Sequence, residues 1–103
     1  MTDHYKVIVS ERAQQMLLEQ TAYLGNKDLD RAEELKKRLL HGLRSLETMP
    51  SRYPFLEDQF IPSNRYRKMY IEKWYLVLYQ IRDQNVLVDL ILDCRQDYRW
   101  LLK

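Results

Sequence analysis

The run Trp74-Tyr75-Leu76-Val77-Leu78-Tyr79 decides how the rest of the chain is read. It is apolar on both faces of a two-residue repeat, the pattern of an interior strand covered by helices on one side and by flanking aromatics on the other. Segments 65–71 and 86–93 flank the central segment 74–81, and the two gaps between them are Glu72-Lys73 and Arg82-Asp83-Gln84-Asn85. Gaps that short make hairpins, so the three runs form an antiparallel meander. In the last run Val86, Val88, Leu90 and Leu92 alternate with Leu87, Asp89, Ile91 and Asp93, which predicts one wet face. In the first, alternation puts Arg65, Arg67, Met69 and Ile71 on one face and Tyr66, Lys68 and Tyr70 on the other.

Upstream of the meander, residues 50–64 hold all three prolines and read as a loop whose Tyr53, Phe55, Leu56, Phe60 and Ile61 tuck onto the core. Before it, Ala32, Leu35, Leu39, Leu43 and Leu46 recur every three or four residues, with Leu40 widening the stripe, so a helix is predicted over 31–48. Asp30 and Glu33 give it a capping-box pattern, and Pro50 prevents its continuation. The stripe lasts barely two heptads, which favours burial against a sheet over a coiled coil. A first helix over 11–25 follows the N-cap Ser10, with Ala13, Met16, Leu17, Gln20 and Leu24 at helical spacing and Gly25-Asn26 as a left-handed stop. Residues 5–9 alternate as a short strand that can pair with either edge of the meander. The expected fold is α+β, β-α-α-β-β-β, with a helical hairpin on one face of a mainly antiparallel four-stranded sheet and the opposite face open for function. Residues 97–103 read as a terminal turn or helix anchored by Tyr98, Trp100, Leu101 and Leu102.

A chain of 103 residues, 46% of them hydrophobic, suits one domain over 1–103. Folding at this size removes roughly 65% of the unfolded surface from water, enough for a core without disulfide or metal staples. Cys94 has no partner cysteine, and no Cys/His spacing fits zinc. No stretch is apolar enough for a membrane span or a signal segment, so a soluble cytoplasmic protein is expected. His4 and His41 are read as surface histidines, and Cys94 has no visible histidine base. Gly25 and Gly42 are the only glycines, too few for a phosphate-binding loop, and neither metal nor cofactor is expected.

The charge is uneven. Residues 1–60 hold 9 Lys/Arg against 10 Asp/Glu, whereas residues 61–103 hold 8 against 5, which places the basic excess in the meander and tail. There Arg65, Arg67, Lys68, Lys73, Arg95, Tyr98 and Arg99 form the one constellation with chemical potential. Guanidinium groups two residues apart on a strand, joined by a tyrosine and further arginines, can clamp phosphates, stack bases and stabilise a phosphorane. A solvated, charged sheet face is the plainer reading of the same residues.

Three segments, in this order and spacing, resemble the RelE/ParE superfamily of toxins from bacterial type II toxin–antitoxin systems over nearly the whole chain. They are Tyr5-Lys6-Val7-Ile8-Val9-Ser10-Glu11-Arg12-Ala13, the stretch from Tyr66-Arg67-Lys68 to Tyr75-Leu76-Val77-Leu78-Tyr79, and Leu90-Ile91-Leu92-Asp93-Cys94-Arg95-Gln96-Asp97-Tyr98. The resemblance implies a cytoplasmic, RelE-like toxin, monomeric when free and neutralised by a cognate antitoxin that wraps it. Operator DNA would be reached only through that antitoxin. Of the family's two activities, the first is metal-independent endoribonuclease (mRNA interferase) action on ribosome-bound mRNA. It would assign Arg67, Arg95 and Tyr98 to catalysis and Arg65, Lys68, Lys73 and Arg99 to the substrate. The second is ParE-like inhibition of DNA gyrase, and a degenerate, antitoxin-binding member is the third reading. Leu76, Met69 and Gln96 stand where the ribonuclease branch carries cations, and Cys94 where many relatives carry histidine or glycine.

Overall fold

The computed structural model describes residues 4–59 and 61–95. Strand β1 (Lys6–Val9) leads into helices α1 (Glu11–Gly25) and α2 (Leu29–Ser45), a single 3-10 turn (Pro50–Arg52), and strands β2 (Arg67–Ile71), β3 (Tyr75–Arg82) and β4 (Asn85–Asp93). The sheet order is β1-β4-β3-β2, antiparallel except for the parallel pair β1·β4. The expected α+β class, helical hairpin and mainly antiparallel sheet are all present. The predicted terminal turn at 97–103 lies outside the described residues.

The edge taken by β1, open in the sequence, has a physical cause. The proline loop folds back beside the start of β2: Phe55 bridges Arg67, the Leu56 N–H donates to the Tyr66 carbonyl at 2.7 Å, and the Lys68 N–H to that of Pro54 at 2.9 Å. With that part of the β2 edge taken, β1 pairs along β4, and the Ser10 N–H continues the ladder to the Val88 carbonyl at 2.9 Å.

Ser10 caps α1 as its type predicts, its hydroxyl accepting from the Ala13 N–H at 3.0 Å. The helix stop differs: Gly25 and Asn26 both avoid positive φ, and the Asn26 N–H instead reaches back to the Ala22 carbonyl at 3.2 Å. Helix α2 starts two residues earlier than predicted because Asp28, not Asp30, accepts from the Arg31 N–H at 3.2 Å. Leu35, Leu39 and Leu43 are buried against the sheet, each stabilising the fold by roughly 1.5–3 kcal/mol, while Leu40 is exposed rather than part of the stripe.

Two cores result, one on each face of the sheet. On the helix side, Leu35, Leu39, Leu43 and Leu46 pack on Met69, Ile71, Tyr75, Val77, Tyr79, Val86, Val88 and Ile91. On the other side, Leu76, Leu78, Leu90 and Leu92 are covered by Ile61 and Tyr66 together with Leu56, Met16 and Cys94. The second face is therefore closed, contrary to the expected open one, because the proline loop carries enough apolar side chains to cover it. A bulge between Leu78 and Tyr79 leaves Asp89 as the extra residue of β4: Leu78 pairs with Leu90 and Tyr79 with Val88. That one residue changes the parity of the strand, so Val86 and Val88 enter the helix-side core and Leu90 and Leu92 the other. The predicted single wet face of β4 does not form.

The bulge is pinned by side chains. The Tyr66 hydroxyl donates to the Asp89 carboxylate, Arg12 pairs with the same carboxylate at 3.1 Å, and the Ser10 hydroxyl donates to the Asp89 carbonyl at 3.1 Å. Burial and this carboxylate together raise the Tyr66 phenol above its ordinary value.

Candidate functional site

Of the seven residues singled out in the sequence, five are described, and these five do not gather in one place. Arg67 opens β2, and its Nη1 donates to the carbonyls of Tyr53 at 2.7 Å and Ser51 at 3.2 Å while the guanidinium lies 4.0 Å from the Phe55 ring centre. A cation that satisfies two main-chain carbonyls and stacks on an aromatic ring is holding a loop. Beneath it, the fully buried Tyr79 donates its hydroxyl to the Pro50 carbonyl at 2.6 Å, and burial pushes that phenol up to about 12.

Arg65 does not share a strand face with Arg67. It precedes β2, is exposed, and sits 5.6 Å from the Tyr66 ring, because the strand begins only at Arg67. Lys68 is half-buried on the face opposite Arg67. Tyr98 and Arg99 lie outside the described residues. Leu76 and Met69 are in the two cores at 0% and 2% exposure.

Lys73 and Arg95 meet at the far end of the sheet. From Arg67 to Ile71 is a span of roughly 13 Å at strand spacing. Past Ile71 the chain turns through Glu72 and Lys73 with φ of 53 and 72 degrees. Ile71 faces Tyr75, so the connection holds three residues, 72–74, and side chains at its two successive left-handed positions cost on the order of 1 kcal/mol each. The turn leaves Trp74 outside the strand and 44% exposed, rather than in the interior run where the sequence pattern put it. Lys73 and Arg95 each lie 5.5 Å from the Trp74 ring centre.

Arg95 is oriented by Asp93, which accepts from its Nη2 at 2.7 Å, its Nε at 2.9 Å and its main-chain N–H at 2.9 Å. This contact holds the Asp93 carboxyl below the usual range and raises the Arg95 guanidinium. The same Nη2 also donates to the Tyr75 hydroxyl at 3.3 Å, while burial raises that phenol. The signal for this cluster was in the sequence as Lys73 in the predicted Glu72-Lys73 turn, Trp74 at the head of the next run, and Asp93 and Arg95 at the end of the paired strand. What was absent was any sign that Trp74 leaves the sheet.

A groove of about 520 Å³ runs between α2 and the outer edge of β2, lined by Lys37, Arg38, His41, Gly42, Tyr70 and Ile71 among others. Arg38 ties its two walls, pairing with Glu34 at 2.9 Å and Glu72 at 2.6 Å, and these carboxylates raise its guanidinium. Strand alternation turns the Tyr70 main chain toward this groove side of the sheet, where it has no hydrogen-bond partner among the described residues. No group of His, Cys, Asp and Glu among the described residues is placed to hold a metal ion, and none of the described helices is long and apolar enough to cross a membrane.

Residues 7–98 match the model of a family described as the ParE toxin of the type II toxin–antitoxin system parDE. Among solved structures, a chain from a chromosomal ParDE toxin–antitoxin system of P. aeruginosa superposes with a TM-score of 0.73 at 9% identity, over 88% of this chain and 97% of that one. At that identity the likeness is one of fold. No curated protein matches in sequence.

Proposed function

Since the chain belongs to the ParE toxin family of type II toxin–antitoxin systems, we propose that it is the toxin of such a pair, acting by binding its target rather than by cutting RNA, with DNA gyrase as that target. The observation that carries this reading is the state of Arg67. A ribonuclease that works without a metal must bring several cations to one reacting phosphate. Here Arg67 is bonded to the carbonyls of Ser51 and Tyr53, and Leu76 and Met69, where ribonuclease relatives carry cations, are core residues.

The neutralising partner is a cognate antitoxin. The groove between α2 and β2, with cationic Lys37 on its wall and the unpaired Tyr70 main chain at its edge, suits an extended, acidic antitoxin segment. The test is purified gyrase in a supercoiling assay beside a bacterial translation extract in which new mRNA 5′ ends are mapped. Loss of supercoiling with intact message is expected. Ribosome-dependent cuts inside codons, with gyrase unaffected, would return the protein to the interferase branch of the superfamily.

A further inference from the structure

The cluster at the β2–β3 turn has a chemistry that the antitoxin groove does not use. Trp74 is 44% exposed, with Lys73 and Arg95 both 5.5 Å from its ring centre. The helical hairpin adds Tyr23, 65% exposed, with the Lys27 Nζ 4.5 Å above its ring and bonded to its hydroxyl at 2.9 Å. The two halves are neighbours, since one turn before Tyr23 the Gln20 Nε2 donates to the Ile91 carbonyl at 2.8 Å, two residues ahead of Asp93, and Arg95 also favours the ionised form of Tyr23.

Lys73, Arg95 and Lys27 therefore outnumber the one carboxylate bonded among them, Asp93, which pairs with Arg95, while Glu72 pairs with Arg38 outside the cluster. The left-handed, non-glycine turn at Glu72 and Lys73 is what projects Lys73 and Trp74 together. Strained turns of this kind are retained where surrounding structure over-determines them, commonly at ligand-binding positions.

We infer that this end of the sheet binds an unpaired nucleic-acid strand, with a base stacked at Trp74 and phosphates held by Lys73, Arg95 and Lys27. Cations alone would serve any acidic partner. The exposed rings beside them select for planar, polyanionic ligands, and a duplex keeps its base faces inside. Arg95 is suited to the part because Asp93 fixes its direction in advance. DNA and RNA share this chemistry, and the site stands apart from the choice of gyrase as target.

The test is fluorescence anisotropy of the purified full chain with labelled single strands of thymidine and of uridine about a dozen nucleotides long, a duplex of equal length, and a glutamate-rich peptide as competitor. Expected is salt-dependent binding of the single strands in preference to the duplex, with either sugar identifying the source by its tighter binding. Trp74→Ala should weaken it about tenfold, Trp74→Phe should keep most of it, and Lys73→Ala should lower the salt slope by about 0.7. Lys36→Ala, on an exposed face of α2, is the control. Circular dichroism checks that Trp74→Ala remains folded; if it does not, Lys73→Glu carries the test. Parent-like binding by the folded Trp74→Ala variant, or by Lys73→Glu, overturns the inference. So does equal affinity for duplex, or displacement by the peptide at matched charge. The supercoiling assay can fail without touching this result, and the reverse.

Discussion

Arg67 and Arg95 mark the two ends of one sheet and use the same side chain oppositely. Arg67 is drawn inward by two carbonyls and the Phe55 ring, so its charge fixes the proline loop. Arg95 is held by a carboxylate on its own strand end and remains about half exposed beside Trp74. A basic residue inside a motif is thus not a functional group until its partners are known. The two differ in exposure rather than in donor count. Arg67 gives Nη1 to two carbonyls and is half-buried against Phe55, whereas Arg95, its Nε and Nη2 engaged by Asp93 and Tyr75, keeps its Nη1 and about half of its side chain in solvent.

The strongest way to break this contrast is Leu76→Arg, which restores the cation of the ribonuclease relatives. At a fully buried position the charge has no partner, so the fold should be lost, with more than about 4 kcal/mol of destabilisation in urea unfolding. A folded variant that gains RNA cleavage would show that the slot is catalytic after all.

Arg67→Ala comes next, at about 2 kcal/mol, because it takes the donor from the part-buried Tyr53 carbonyl and removes the Phe55 ring contact. Thermal melting reads this directly; a variant melting like the parent would make Arg67 available for function. Tyr79→Phe leaves the Pro50 carbonyl without its donor and should cost about 1–2 kcal/mol. The Tyr79 phenol also carries a pH signature. Its folded value of about 12 lies above the unfolded value near 10, so its neutral form is favoured by folding. The resulting contribution, about 2–3 kcal/mol, is complete below pH ~10 and is lost as pH rises towards 12. Alkaline unfolding should be shallower in Tyr79→Phe than in the parent, and identical profiles would contradict the assignment. The smallest effect belongs to Arg95→Ala: an exposed pair contributes under about 1 kcal/mol, so stability should barely move. A loss as large as that of Arg67→Ala would erase the distinction between the two ends.

Much of the fold was legible from residue type. The apolar run at 75–79, the leucine stripe of α2 and the Ser10 cap each rest on local periodicity or on a single hydrogen bond and are present, whereas Trp74 and Leu40, read into the run and the stripe, are exposed. The candidate site was legible as residue types but not as an arrangement. Lys73 and Arg95 are 22 positions apart in the chain and meet because Ile71 pairs with Tyr75 and Tyr75 with Asp93. Arg65 and Arg67, two apart, separate because β2 starts between them.

The sequence by itself determined the order of helices and strands, the meander and the family resemblance, because these depend on patterns within a few residues. Tertiary structure decided the rest. The fold-back of 54–56 beside β2 places β1 on β4, the bulge at Asp89 sends alternate halves of one strand into two cores, and the carbonyls of Ser51 and Tyr53 turn Arg67 inward. Each of these depends on which distant backbone group is left without a partner, and that is settled only when the whole chain has packed.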